Sequence, residues 1–179
     1  MLDALSQDLT PIYSFSDSHS EFRAGLFQSG DSGAYALAFA GTYSFRDLEP
    51  SIEQLMGYRS VQFNEAVTLT QLVTRVIPSN LTLTGHSLGG AEAAVGALYT
   101  HIHAITFNAE GISQGTIARY RLDMSEANSL ITNYHTALDP LTLMQDMTPL
   151  PNVVGRQVTL PGFHLHGISG VCAALNTQC

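Results

Sequence analysis

The chain has 179 residues, a single-domain length, and its 45% hydrophobic and 12% charged residues describe a packed core rather than a disordered chain. Its formal net charge is −8, all seven basic residues are arginines and lysine is absent. It therefore lacks the basic cluster that phosphate contacts require, which excludes nucleic acid as a partner and leaves at most transient contact with a membrane surface.

No charged segment followed by an apolar run opens the sequence, so no signal peptide is read, and no window approaches the ~18 apolar residues of a spanning helix. Phe22 to Gln28 and Ala34 to Ala40, separated by the turn signal Asp31-Ser32-Gly33, read as a hairpin. The second strand alternates alanine with Tyr35, Leu37 and Phe39. Beyond Gly41 the pattern becomes polar and irregular, and residues 43–57 form a possible lid segment. A helix is predicted over Val61 to Ile77, with Leu69, Leu72, Val73 and Val76 on one face and Pro78 as its stop.

Leu81 to Thr84 reads as a short strand and Leu88 to Tyr99 as an alanine-rich helix. Further strands are predicted at His103 to Phe107, Leu130 to Tyr134 and Val158 to Leu160, with a terminal helix carrying Ile168, Val171, Cys172 and Leu175. Strands alternating with helices predict an α/β fold, a mostly parallel central sheet with helices on both faces, in one domain over 1–179. Cys172 and Cys179 are the two cysteines. Seven residues along a helix separate Cα atoms by about 10 Å, so a disulfide between them would require the chain to turn back after the final helix, and two free or buried thiols are the expectation.

The run Thr84-Gly85-His86-Ser87-Leu88-Gly89-Gly90 holds Gly-x-Ser-x-Gly between a predicted strand and a predicted helix, the setting of a nucleophile elbow. Glycines at 85 and 89 remove side chains that would collide in so tight a turn. Ser87 then stands beside a helix N-terminus, where partial positive charge favours a developing anion. Acyl transfer also needs donors aimed at the oxyanion. The Leu88 N–H is one candidate, and the Thr42 N–H, in Phe39-Ala40-Gly41-Thr42, is the other.

A serine nucleophile needs an imidazole base, and the base an orienting acid, in the chain order serine, acid, histidine. His101 and His103 come too early, and His135 precedes the best acid. His164 and His166 remain; the position of His166 directly before Gly167 and the final helix favours it as base, with His164 as the alternative. Among Glu110, Asp123, Glu126, Asp139 and Asp146, the acid is placed at Asp139, which follows a predicted strand in Ala137-Leu138-Asp139-Pro140; Asp146 is its rival.

The segments FAGT (39–42), GHSLGG (85–90), TFNAEG (106–111), NYHTALD (133–139) and HGISGV (166–171) together resemble the class 3 lipase family and related bacterial lipase-like secretion effectors of the α/β-hydrolase superfamily. The resemblance implies hydrolysis of carboxylic esters, acylglycerols or phospholipids, without metal or cofactor. It supports Ser87, Asp139 and His166 as a triad with Thr42 at the oxyanion hole. With no signal peptide read, a cytoplasmic or leaderless secreted protein is expected; leaderless export fits the resemblance, with a partner protein if it is a delivered effector. Two departures stand out: Ala40 replaces the arginine common before the Gly-Thr pair, and residues 43–57 contain no tryptophan. The expected activity is that of a lipase-like or phospholipase-like serine hydrolase. A short-chain esterase or thioesterase is the alternative within the class, and a non-catalytic hydrolase-fold binding module the alternative outside it.

Overall fold

The computed structural model describes residues 9–41, 52–77, 79–137, 139–147, 150–161 and 166–175; at 52–59, 144 and 146 the backbone alone is described. Seven strands form one sheet in chain order: β1 (Leu9–Ser16), β2 (Arg23–Ser29), β3 (Tyr35–Phe39), β4 (Leu81–His86), β5 (Ala104–Phe107), β6 (Ile131–Thr136) and β7 (Arg156–Leu160). The first three pair antiparallel as a meander, and β3 to β7 run parallel. The helices are α1 (Ile52–Val76), α2 (Leu88–Thr100), α3 (Gln114–Tyr120), α4 (Ala127–Leu130), α5 (Pro140–Met147) and α6 (Ile168–Ala174), with a short 3₁₀ turn at Met124–Glu126.

The core begins as one row across the sheet. Leu26 faces Leu37, Leu37 faces Leu83, Leu83 faces Ala104 and Ala104 faces Ile131, and all five are buried. Between the parallel strands, α1 and α2 pack together, and α2 lies against β3, β4 and β5. Every residue of α2 from Leu88 to Leu98 is buried. A helix enclosed between sheet and neighbour needs small residues all round, which accounts for its alanine content. The parallel strands bring their C-terminal ends to one edge, where β4 ends at His86, β5 at Phe107 and β6 at Thr136.

Three expectations change. The helix predicted at 61–77 starts at Ile52, so residues 52–57 of the suggested lid segment are its first turns, and 43–51 lie outside the described residues. Its buried stripe runs through Phe63, Ala66, Val67, Thr70 and Val73, with Leu69 alongside, whereas Leu72 and Val76 are exposed. Thr70 can occupy the seam because its hydroxyl donates to the Ala66 carbonyl at 2.7 Å, which satisfies it within the helix. Finally, Cys172 is disulfide-bonded rather than free. The helical spacing that argued against a bridge does not apply, since α6 ends at Ala174, two residues past Cys172. Cys179 lies outside the described residues.

Candidate active site

Ser87 occupies the single residue between β4 and α2, with φ 59° and ψ −125°. For a residue with a side chain, that backbone is strained by about 1–3 kcal/mol, a cost that recurs at nucleophile elbows. Two glycines make the turn possible. A Cβ at Gly85 would run into the carbonyl of Gly89, and one at Gly89 into the carbonyl of Phe39 at the end of β3. The backbone of the turn is tied down: the Ser87 N–H donates to Phe107 (3.1 Å), and the Ser87 carbonyl accepts from Gly90 (3.0 Å) and Glu110 (3.0 Å). Ser87 is 3% exposed, and its Oγ makes no hydrogen bond among the described residues.

Asp139 and His166 come together across the same edge. Asp139 follows β6 and is fully buried. Its Oδ1 accepts from His166 Nδ1 at 2.6 Å, while Oδ2 accepts from the N–H and the hydroxyl of Thr142, both at 2.8 Å. Asp139 therefore caps α5, and Pro140 is that helix's first residue, where its missing N–H costs nothing. Burial pushes the Asp139 carboxyl up, but hydrogen bonds from His166 and Thr142 outweigh it and hold the group below the ordinary aspartate value. With Nδ1 turned to the acid, the imidazole keeps its proton there and its Nε2 on the opposite side as acceptor. The His166 ring lies against the His86 ring, centroids 4.8 Å apart, so it adjoins the residue that precedes Ser87.

The remaining predicted residues divide clearly. Leu88 is the first residue of α2 and its N–H has no helical acceptor available. Thr42 and His164 lie outside the described residues, as does the side chain of Asp146. Gly41, next to Thr42, abuts the elbow, since a Cβ there would lie 2.7 Å from the His86 carbonyl oxygen. His101 and His103 precede β5 and so sit at the opposite end of the sheet, where His101 pairs with Glu126 at 2.7 Å. His135 bonds Thr159 at 2.9 Å. A groove of about 490 Å³ between β1 and α1, lined by Tyr13, Phe15, Asp17 and Glu65 among others, contains no residue of this constellation.

Three buried or half-buried groups near the elbow carried no functional reading in the sequence. His86 Nε2 bonds the His166 carbonyl, and Asn108 at the end of β5 reaches the same oxygen. Glu92 on α2 is 1% exposed, and neither carboxylate oxygen has a hydrogen bond among the described residues. Burial first, then the nearby Glu110 and Glu65, push its pKa well above the ordinary glutamate range.

The profile of the Tle-like phospholipase domain, a phospholipase-like family, matches residues 2–178. The chain belongs to this family. As a Tle-like phospholipase domain it is 38% identical to the extracellular phospholipase A1 of Serratia liquefaciens over 92% of its own length and 59% of that protein's. It thus spans about three-fifths of that relative. Among solved structures, it resembles a triacylglycerol lipase of Penicillium expansum (TM-score 0.58, 17% identity, 89% of this chain and 73% of that one). It also resembles the Lip2 lipase of Yarrowia lipolytica (TM-score 0.59, 15% identity, 86% and 66%). These likenesses show the α/β-hydrolase fold of lipases, in agreement with the resemblance carried by the sequence motifs. No helix among the described residues is long and apolar enough to cross a membrane.

Proposed function

We propose that this Tle-like domain is a serine-dependent carboxylic ester hydrolase acting on phospholipids through an acyl-enzyme on Ser87. The observation that carries the reading is the 2.6 Å bond between buried Asp139 and His166, together with a serine held at positive φ between strand and helix, whose preceding residue His86 packs against the His166 ring. The name of the Serratia relative supports a phospholipid as substrate and an sn-1 acyl ester as the bond cut.

In this mechanism His166 Nε2 takes the Ser87 proton as Oγ attacks the ester carbonyl. Asp139 keeps the imidazole in the competent tautomer and stabilises the imidazolium that forms. The Leu88 and Thr42 N–H groups hold the oxyanion; one such donor is commonly worth about 3–4 kcal/mol. Collapse expels the lysophospholipid alkoxide, which takes the proton from His166. Water, activated by the same imidazole, then releases the fatty acid and restores Ser87.

The test is turnover of phosphatidylcholine in mixed micelles, with each acyl position labelled differently. Release of the sn-1 chain by the wild-type protein, abolished in Ser87→Ala, is the expected result. Turnover of short water-soluble esters alone would move the protein to the esterase reading. Absence of turnover on any ester would favour a binding module, a reading that draws on the unbonded Ser87 Oγ.

A further inference from the structure

His166 lies in no helix or strand, and the next residue, Gly167, caps the seven-residue α6. Asp139 holds its ring through Nδ1, and side chains also grip its backbone. Two do so at a single atom. The His166 carbonyl oxygen accepts from His86 Nε2 at 2.6 Å and, at a longer 3.4 Å, from Asn108 Nδ2.

Each of these residues is itself anchored to the site. His86 ends β4 and immediately precedes Ser87. Asn108 is fully buried with φ 41°, and its N–H donates to the Tyr134 carbonyl at 2.8 Å. Its Oδ1 accepts from the Thr136 N–H at 2.9 Å, and the Thr136 carbonyl accepts from the N–H of Asp139 at 3.0 Å. Asn108 thus spans the acid's turn and the base's backbone, while His86 ties the base to the elbow. These are the histidine of GHSLGG and the asparagine of TFNAEG, motif positions for which the triad has no use.

We infer that His86 and Asn108 are positioning residues for His166, fixing the base relative to Ser87 and Asp139 through the His166 carbonyl, with His86 acting as a neutral Nε2–H donor. The inference rests on the proposed role of His166 as base. Burial, followed by the neighbouring His166, pushes the His86 pKa below the ordinary histidine range, which agrees with a neutral donor. Misplacing a catalytic group by about 1 Å costs on the order of 100-fold in rate.

The experiment compares His86→Leu, His86→Gln, Asn108→Asp and His166→Ala in steady-state turnover of phosphatidylcholine mixed micelles, with folding followed by thermal melting. Glutamine places an amide N–H at the reach of Nε2. His86→Leu should therefore lose roughly 10- to 100-fold in kcat with KM unchanged, and His86→Gln should recover most of that loss. Asn108→Asp keeps the acceptor for Thr136 but turns an oxygen toward the His166 carbonyl, and should also lower kcat rather than raise KM.

A wild-type kcat in folded His86→Leu, alongside an inactive His166→Ala, would overturn the positioning role and leave the triad standing. So would a glutamine variant as impaired as the leucine one. An active His166→Ala would overturn the assignment of the base itself. Should the leucine variant fail to fold, the ¹⁵N imidazole spectrum of the wild-type protein decides. A His86 tautomer protonated at Nε2 is required, and one protonated at Nδ1 alone would refute the inference.

Discussion

Replacing Asp139 by asparagine changes one atom type at full burial, and its effect follows from the partners of each oxygen. Oδ2 receives the N–H and hydroxyl of Thr142, and Oδ1 receives His166 Nδ1–H. A backbone N–H can only donate, so the asparagine oxygen stays at Thr142 and the NH₂ turns to the imidazole. Nδ1 must then accept, its proton moves to Nε2, and Nε2 can no longer take the Ser87 proton. The opposite amide orientation leaves two buried donors facing each other at Thr142, at a cost of about 1–3 kcal/mol, or roughly 5- to 150-fold in the competent population. The lost negative charge no longer stabilises the imidazolium, and in the serine-protease triad this substitution lowers kcat by about 10⁴. Asp139→Asn should therefore reduce kcat on phosphatidylcholine micelles by roughly 10²- to 10⁴-fold with KM little changed, while the melting transition stays cooperative. A folded variant within tenfold of wild-type kcat would refute the tautomer argument.

Three further outcomes follow from the buried groups. Glu92→Met removes a carboxyl that has no partner among the described residues, and should raise stability at pH 8 by about 1–3 kcal/mol. Because the folded state holds the Glu92 proton to a higher pH than the unfolded chain, wild-type stability falls as pH rises above 4.5 toward the raised value. Urea melts across that range should show a shallower fall in the variant, and parallel curves would contradict it. Asp139 has the opposite sign: its lowered pKa gives stability that is complete above the unfolded value of 3.8 and lost as pH falls through the folded one. Acid titration of Asp139→Asn should accordingly show a flatter decline below about pH 4 than the wild type, and a decline as steep as the wild type's would count against it. Gly89→Ala sets a methyl against the Phe39 carbonyl, and should cost about 1–3 kcal/mol in urea unfolding. A neutral result there would mean that α2 can move away from β3.

What could be read from the sequence was whatever is encoded locally. The alternation in Tyr35–Phe39 and Leu81–His86, together with the glycines at 85 and 89, is enough to place Ser87 between strand and helix. The sequence did not reveal β1, whose residues are almost all exposed at the sheet edge and which carries Pro11, so no burial period marks it. It did not reveal α5 either, because Asp139-Pro140 reads as a stiff loop until the Asp139 side chain is seen capping the helix. The burial of Glu92 was illegible for another reason. It arises when α1 and the segment carrying Glu110 close over α2, a tertiary event that helical periodicity does not contain. The grip of His86 and Asn108 on His166 joins residues 80 and 58 positions apart, and no spacing rule links them.

Labelling with a fluorophosphonate, read by intact mass and peptide mapping, tests the central claim most directly, since only an activated serine reacts at an appreciable rate. A single adduct on Ser87, absent in Ser87→Ala and strongly slowed in His166→Ala, is the predicted result. An adduct on another serine, or labelling of Ser87 at an equal rate in His166→Ala, would contradict it.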